Sequence, residues 1–198
     1  RFAGAKFAFL AANVMRRDGG GTLFPGTALR SFGKGRRKVT LGFIGMTLEA
    51  TSTLVPPQGI AEVTFADEVE TANALVPRLK AQGADAIVLL IHEGGYPASR
   101  SNPDGCEGLA GPIRDIVTAL DPRIDLVVSG HSHQAYVCDW QAIDPARPVL
   151  LTSAGLWGKL VSEITVEIEP ASGRVVGKRA RNVVVQSQSF ATDRGAVE

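Results

Sequence analysis

One order of signals occurs twice in this 198-residue sequence, and it narrows the folds open to the chain. An amphipathic stretch is followed by a turn, then by a short continuous apolar run, then by histidine. In the first instance residues 67–82 carry Val69, Ala72, Leu75, Val76 and Leu79 at helical spacing. Asp67 and Glu68 favour the start of such a helix and Gly83 its stop. Pro77 should kink or weaken it unless the ring falls on an exposed turn. The run DAIVLLI (85–91) then leads to His92. In the second instance Leu109, Ile113, Ile116, Val117 and Leu120 line one helical face, Asp121-Pro122 closes it, and IDLVVS (124–129) leads to Gly130-His131-Ser132-His133. Runs this apolar suit parallel strands covered on both faces. Helix and strand in this alternation are the pattern of right-handed βαβ units. Ligand chemistry in such sheets collects beyond the carboxyl ends of the strands, so all three histidines of the chain are expected on one rim.

The flanking stretches read differently. KFAFLAAN (6–13) reads as a strand that ends on a polar residue, and residues 15–38 as a Gly-, Arg- and Lys-rich connection or short hairpin. KVTLGFIGM (38–46) alternates and is rich in β-branched and aromatic residues, which predicts a strand. Residues 47–60, with Pro56, Pro57 and Gly59, read as loop, and so do residues 94–108. After His133 come strands at 135–141, 149–153, 160–169 and 174–186, with no helix between them. Leu160, Ser162, Ile164, Val166 and Ile168 alternate with Val161, Glu163, Thr165, Glu167 and Glu169, as in a half-exposed strand. Ala171-Ser172-Gly173 supplies a tight turn into the last strand, and the polar tail from Ser187 reads as a linker.

A hydrophobic share of 44% is ample for one packed domain. The formal net charge of +1 gives no global field for a nucleic-acid polymer or an anionic membrane. No apolar run is long enough to span a bilayer. Arg30, Lys34, Arg36, Arg37 and Lys38 cluster in a Gly-rich stretch and read as a solvated loop. The opening RFAGAKFAFLAANV reads better as a strand than as a signal peptide, and without an initial methionine the chain is expected to be a processed or truncated piece. Cys106 and Cys138 each follow one histidine segment; a bridge across the rim and two free thiols are both open on the residues alone.

Imidazole nitrogens suit zinc, manganese or iron. His131 and His133 are two apart, so in an extended stretch both would point the same way, towards one cation or two neighbouring ones. Three histidines can hold a catalytic zinc with water in the open position. Two-metal phosphoester chemistry needs carboxylates as well. Asp85 and Asp125 begin their strands and so belong to the opposite rim, while Glu93 on a strand would point away from His92. There is no Gly-x-Ser-x-Gly elbow, no Gly-x-Gly-x-x-Gly fingerprint after a strand and no P-loop.

VLLIHEGG (88–95), DLVVSGHSHQAYVC (125–138) and LLTSAGLWGKLVSEI (150–164) resemble the later motifs of calcineurin-like metallophosphoesterases. The match is closest to the secreted 5′-nucleotidase and UDP-sugar hydrolase branch, to which AANV (11–14), LGFIGMTL (41–48) and PDGCEGLAGPI (103–113) are also similar. The resemblance implies a four-layer α/β/β/α sandwich with mixed sheets, the helix–strand units supplying half of one sheet and the strands after His133 the other, built around two divalent metal ions, zinc or manganese. It makes His92 and His131 ligands of one cation and His133 a ligand of the other, a position often held by glutamine in that branch. It further implies a nucleotide or nucleotide-sugar substrate, an extracellular or periplasmic location, and a Cys106–Cys138 bridge. The family's Asp-x-His, Gly-Asp and Gly-Asn-His-Glu/Asp motifs are missing, and Asn13 in AANV matches the strand that follows them. Residues 1–186 are therefore expected to be part of a metallophosphoesterase domain, and residues 187–198 a linker towards an absent C-terminal domain. Such a piece should be inactive alone and prone to self-association through its exposed edges. Two other readings stand beside this one: a non-catalytic interaction module with empty histidines, and an unrelated three-histidine zinc hydrolase.

Overall fold

A computed structural model of the chain describes residues 4–192 and residue 195. Its strands are β1 (Val14–Arg16), β2 (Thr27–Phe32), β3 (Val39–Met46), β4 (Val63–Phe65), β5 (Ala86–Ile91), β6 (Leu126–Val128), β7 (Ala135–Asp139), β8 (Leu150–Ala154), β9 (Leu160–Glu169) and β10 (Arg174–Val184). The helices are α1 (Thr51–Leu54), α2 (Glu68–Ala81) and α3 (Pro112–Ala119). A six-stranded mixed sheet runs β2-β3-β5-β6-β8-β7. The strands β3, β5, β6 and β8 are parallel, and β2 and β7 close the two edges antiparallel.

Both expected helix–strand units are present. Asp67 caps α2 by accepting from the Glu70 N–H, and acidic residues in the first turn with Arg78 and Lys80 in the last match the helix dipole. Pro77 sits on the exposed side, and α2 continues through it. Gly83, at φ 87°, reverses the chain into β5. Pro112 opens α3 at a position where its missing N–H costs nothing. Ala72, Val76 and Leu79 of α2 and Ile113 and Val117 of α3 bury against Ile44, Ile87, Leu89, Val127 and Leu151 of the sheet.

On the opposite face the β9–β10 hairpin forms a second, two-stranded sheet. Its Ile164, Val166 and Ala180 pack on Val88, Leu126 and Leu150, and its outer side carries the ion pairs Arg181–Glu163 and Arg179–Glu167. Three layers of the expected α/β/β/α stack are thus described. The hairpin leaves the β2–β3–β5 end of the sheet uncovered. An apolar groove of about 630 Å³ remains there, floored by Leu41, Phe43, Val88 and Leu90 and walled by Ile164, Val166 and Ile168 of β9.

Four expectations are revised. Residues 6–13 form no strand, because both edges of β3 are already paired, with β2 and β5. They cross its face at Gly45 instead, where a side chain would collide with Leu10, and the Ala12 N–H reaches Gly45 O at 2.7 Å. Within residues 15–38, β2 is a full edge strand of the main sheet. Residues 47–60 contain α1 and a 3₁₀ turn at Pro57–Ile60. Strands β7 and β8 lie in the main sheet rather than the second one. The cause is that Leu150 and Leu151 of β8 are buried on opposite faces, which only a strand inside the sandwich allows. The tail at 187–198 is only partly covered, since 193, 194 and 196–198 lie outside the described residues.

Candidate metal centre at the carboxyl rim

His92 follows β5 directly, and its N–H extends the parallel ladder to Met46 O at 3.0 Å. Beyond β6 the chain turns sharply. The Ser132 N–H donates to Gly130 O at 2.6 Å, closing a three-residue turn with His131 at its centre. His131 (φ 61°) and His133 (φ 58°) are both left-handed, so the stretch is not extended as its spacing predicted. Among the described non-glycine residues only Trp157 shares that conformation, which costs about 1–2 kcal/mol per residue.

The turn brings Nδ1 of His131 to 3.3 Å from Nε2 of His92, with the ring centroids 5.0 Å apart and the planes at 66°. Close backbone approach makes this possible: a Cβ on Gly94 would collide with Gly130 O and Ser132 Oγ, and the Gly130 N–H donates to Glu93 O at 3.1 Å. Burial, then the neighbouring His131, lowers the pKa of His92 and favours its neutral, lone-pair-bearing form. His133 is exposed on the same loop, and the three histidines do not bring their nitrogens within 4.8 Å of one another. An open cleft of about 410 Å³ lies against His92, Ser129 and Gly130.

Below the rim, Ser129 Oγ shares a 2.7 Å hydrogen bond with the Tyr136 hydroxyl and donates to Thr152 O at 2.9 Å. Tyr136 is fully buried, and burial raises its pKa, so it supports the loop as a neutral phenol. The long loop after His92 is tied down twice. Cys106 and Cys138 are bridged, with Cα atoms 5.2 Å apart. Asn182 donates to Pro103 O at 2.7 Å and to Ser153 O at 3.0 Å, and its own N–H reaches Asp104 Oδ1 at 2.6 Å.

The carboxylates lie elsewhere. Asp85 accepts from the Thr40 N–H at 2.7 Å and Asp125 from the Ile87 N–H at 2.9 Å, both at the amino ends of the strands. Glu93 accepts from Gly94 N–H at 2.7 Å and lines a helix-side pocket with Glu49, Asp67 and Glu68. Sequence reasoning missed that group, in which oxygens of Glu49, Asp67 and Glu68 lie within 4.8 Å of one another. Glu49 sits in a stretch read as loop, far along the chain from the other two, so no spacing signals the group. The Asn13 side chain is used up on backbone, donating to Thr47 O at 2.6 Å and Ala66 O at 3.0 Å. For a cation, the fit rests on two observations: a pair of imidazole nitrogens held together, and a buried Ser132 Oγ between the histidines with no hydrogen-bond partner.

No protein-family profile matches the chain. It is 25% identical over 195 residues to endonuclease YhcR of Bacillus subtilis, covering 98% of this chain and 15% of that protein. It is 28% identical over 190 residues to a 5′-nucleotidase of Vibrio vulnificus, covering 87% of this chain and 32% of that one. The calcineurin-like phosphoesterase YfkN from Bacillus subtilis shares the fold, with a TM-score of 0.73 at 23% identity over 98% of this chain and 60% of the other. The chain spans between 12% and 32% of the length of the curated relatives it matches. Among the described residues no helix is long and apolar enough to cross a membrane.

Proposed function

This chain is related to the calcineurin-like phosphoesterases of the 5′-nucleotidase branch, and from that premise we propose that it carries the histidine side of a metal-dependent nucleotide phosphoesterase centre. The observation that carries the reading is the convergence of His92 and His131 at the mouths of β5 and β6. His92 and His131 would hold one divalent cation, zinc or manganese, and His133 a second. Bound there, the cations would supply Lewis acidity to the phosphoryl oxygens and lower the pKa of an attacking water.

The chain's own residues prepare that site. Burial keeps His92 neutral, the Gly94–Gly130 contact sets the separation of the two rings, and Ser129 with Tyr136 braces the loop from below. The carboxylates of Asp85, Asp125 and Glu93 are turned to other partners, so the bridging carboxylate comes from residues outside these 198. We read residues 1–186 as part of a catalytic domain whose remainder seats in the apolar groove beside β9, and residues 187–198 as a linker. The Cys106–Cys138 bridge supports an extracellular or periplasmic location.

The test is metal content after native purification, followed by AMP hydrolysis. Zinc or manganese should bind the wild-type chain and be lost in His131→Ala. Hydrolysis should require the rest of the catalytic domain. Robust AMP turnover by the 198-residue chain alone overturns the partial-site reading, and metal uptake indifferent to His131→Ala overturns the ligand assignment.

A further inference from the structure

The buried hydroxyls around the histidine rim are paired, with one exception. Ser129 Oγ bonds the Tyr136 hydroxyl and Thr152 O, Thr152 Oγ1 donates to Val127 O at 3.4 Å, and Ser153 Oγ donates to Gln134 O at 2.7 Å. Ser132 Oγ is sealed from solvent and has no partner; no other buried side-chain nitrogen or oxygen among the described residues shares that condition. The backbone of Ser132 is fully used. Its N–H donates to Gly130 O at 2.6 Å, and its carbonyl accepts from Gln134 Nε2 at 3.1 Å. Its side chain sits in the notch left by Gly94, where a Cβ would lie 2.4 Å from Oγ. A buried hydroxyl without a hydrogen bond costs stability, and native folds seldom keep one without a use for it.

Ser132 stands between the two left-handed histidines, His131 and His133. Nδ1 of His131 faces Nε2 of His92, while Nε2 of His131 and both ring nitrogens of His133 take part in no hydrogen bond among the described residues. A neutral histidine that binds a cation through one nitrogen carries a proton on the other, and an acceptor for that N–H fixes the ring. A hydroxyl oxygen with free lone pairs is such an acceptor. We propose that Ser132 is a positioning residue of the metal centre, its hydroxyl bracing the ring N–H that a flanking histidine turns away from the cation; this rests on the metal-dependent phosphoesterase reading. A serine kept only for structure would hold the turn through its hydroxyl, and this one holds nothing within the fold.

The probe is zinc alone, titrated calorimetrically into the wild-type chain and into Ser132→Ala, with thermal melts of both after chelation. Alanine removes the unpaired group and keeps both backbone bonds, so without zinc the variant should melt at or above the wild-type Tm. It should nevertheless bind zinc about 10- to 100-fold more weakly, the loss typical of a supporting partner. In the zinc-loaded wild type a slowly exchanging imidazole N–H should appear in proton–nitrogen spectra, and loaded Ser132→Ala should lack it. A Tm below wild type without zinc, an unchanged zinc affinity, or a ring N–H that persists in the variant overturns the role and leaves the metal reading standing. No zinc uptake by a folded wild-type chain overturns the metal reading, and the role of Ser132 with it.

Discussion

Nε2 of His92 and Nδ1 of His131 lie 3.3 Å apart although the residues are 39 positions apart in the chain. Parallel pairing of β5 with β6 brings their carboxyl ends together, and the left-handed turn at His131 swings its ring back over His92.

Removing either ring of that pair should weaken zinc binding by at least about 100-fold, beyond the 10- to 100-fold typical of losing a supporting partner. His133→Ala should leave the first cation in place and affect only a second. Calorimetric titration of the three variants checks this; equal effects from all three would contradict the division.

Because burial lowers the pKa of His92, the folded chain resists its protonation. The unfolded chain takes up that proton from about pH 6.5 downward. Stability should therefore fall as pH drops below that point towards the folded value. Urea melts of His92→Gln should show a flatter pH dependence over the same window, and an unchanged slope would count against it.

Gly94→Ala should destabilise the chain by at least about 1–3 kcal/mol. The new methyl would collide with Gly130 O and Ser132 Oγ, so the two histidine loops must separate. Lowered Tm together with weakened zinc binding is expected; a variant with native Tm would refute the close packing.

Losing the Cys106–Cys138 bridge, which closes a loop across 32 positions, should cost about 3–4 kcal/mol. Chemical denaturation with and without reductant measures it, and the double serine variant should match the reduced protein.

Burial raises the pKa of Glu68, against the Glu49 N–H that it accepts at 2.7 Å. A raised carboxyl pKa is a stabilising contribution at acid pH that is lost as pH rises through the folded value. Glu68→Gln keeps an oxygen for the Glu49 N–H and removes the charge. It should be more stable than wild type at pH 7 and no different at pH 4; lower stability at pH 7 would contradict the sign.

Periodicity made α2, α3 and the strands leading to the histidines legible, because continuous burial on both faces leaves an uninterrupted apolar run that no other environment tolerates. The same logic announced the β9–β10 hairpin through its strict alternation. Residues 6–13 misled for the reason that alternation reports which face a residue can bury, not whether a free strand edge exists to pair with. β7 and β8 join the main sheet rather than the second one, because sheet membership depends on partners that lie elsewhere in the chain.

At the site, the order of residues was enough to say which side chains stand at the strand ends and which carboxylates begin the strands. It could not say that His131 and His133 turn left-handed, that Glu93 joins Glu49, Asp67 and Glu68, or that the Ser132 hydroxyl is left unpaired. Those are outcomes of backbone turns and of contacts between distant segments, and only the packed chain fixes the geometry in which donor atoms meet.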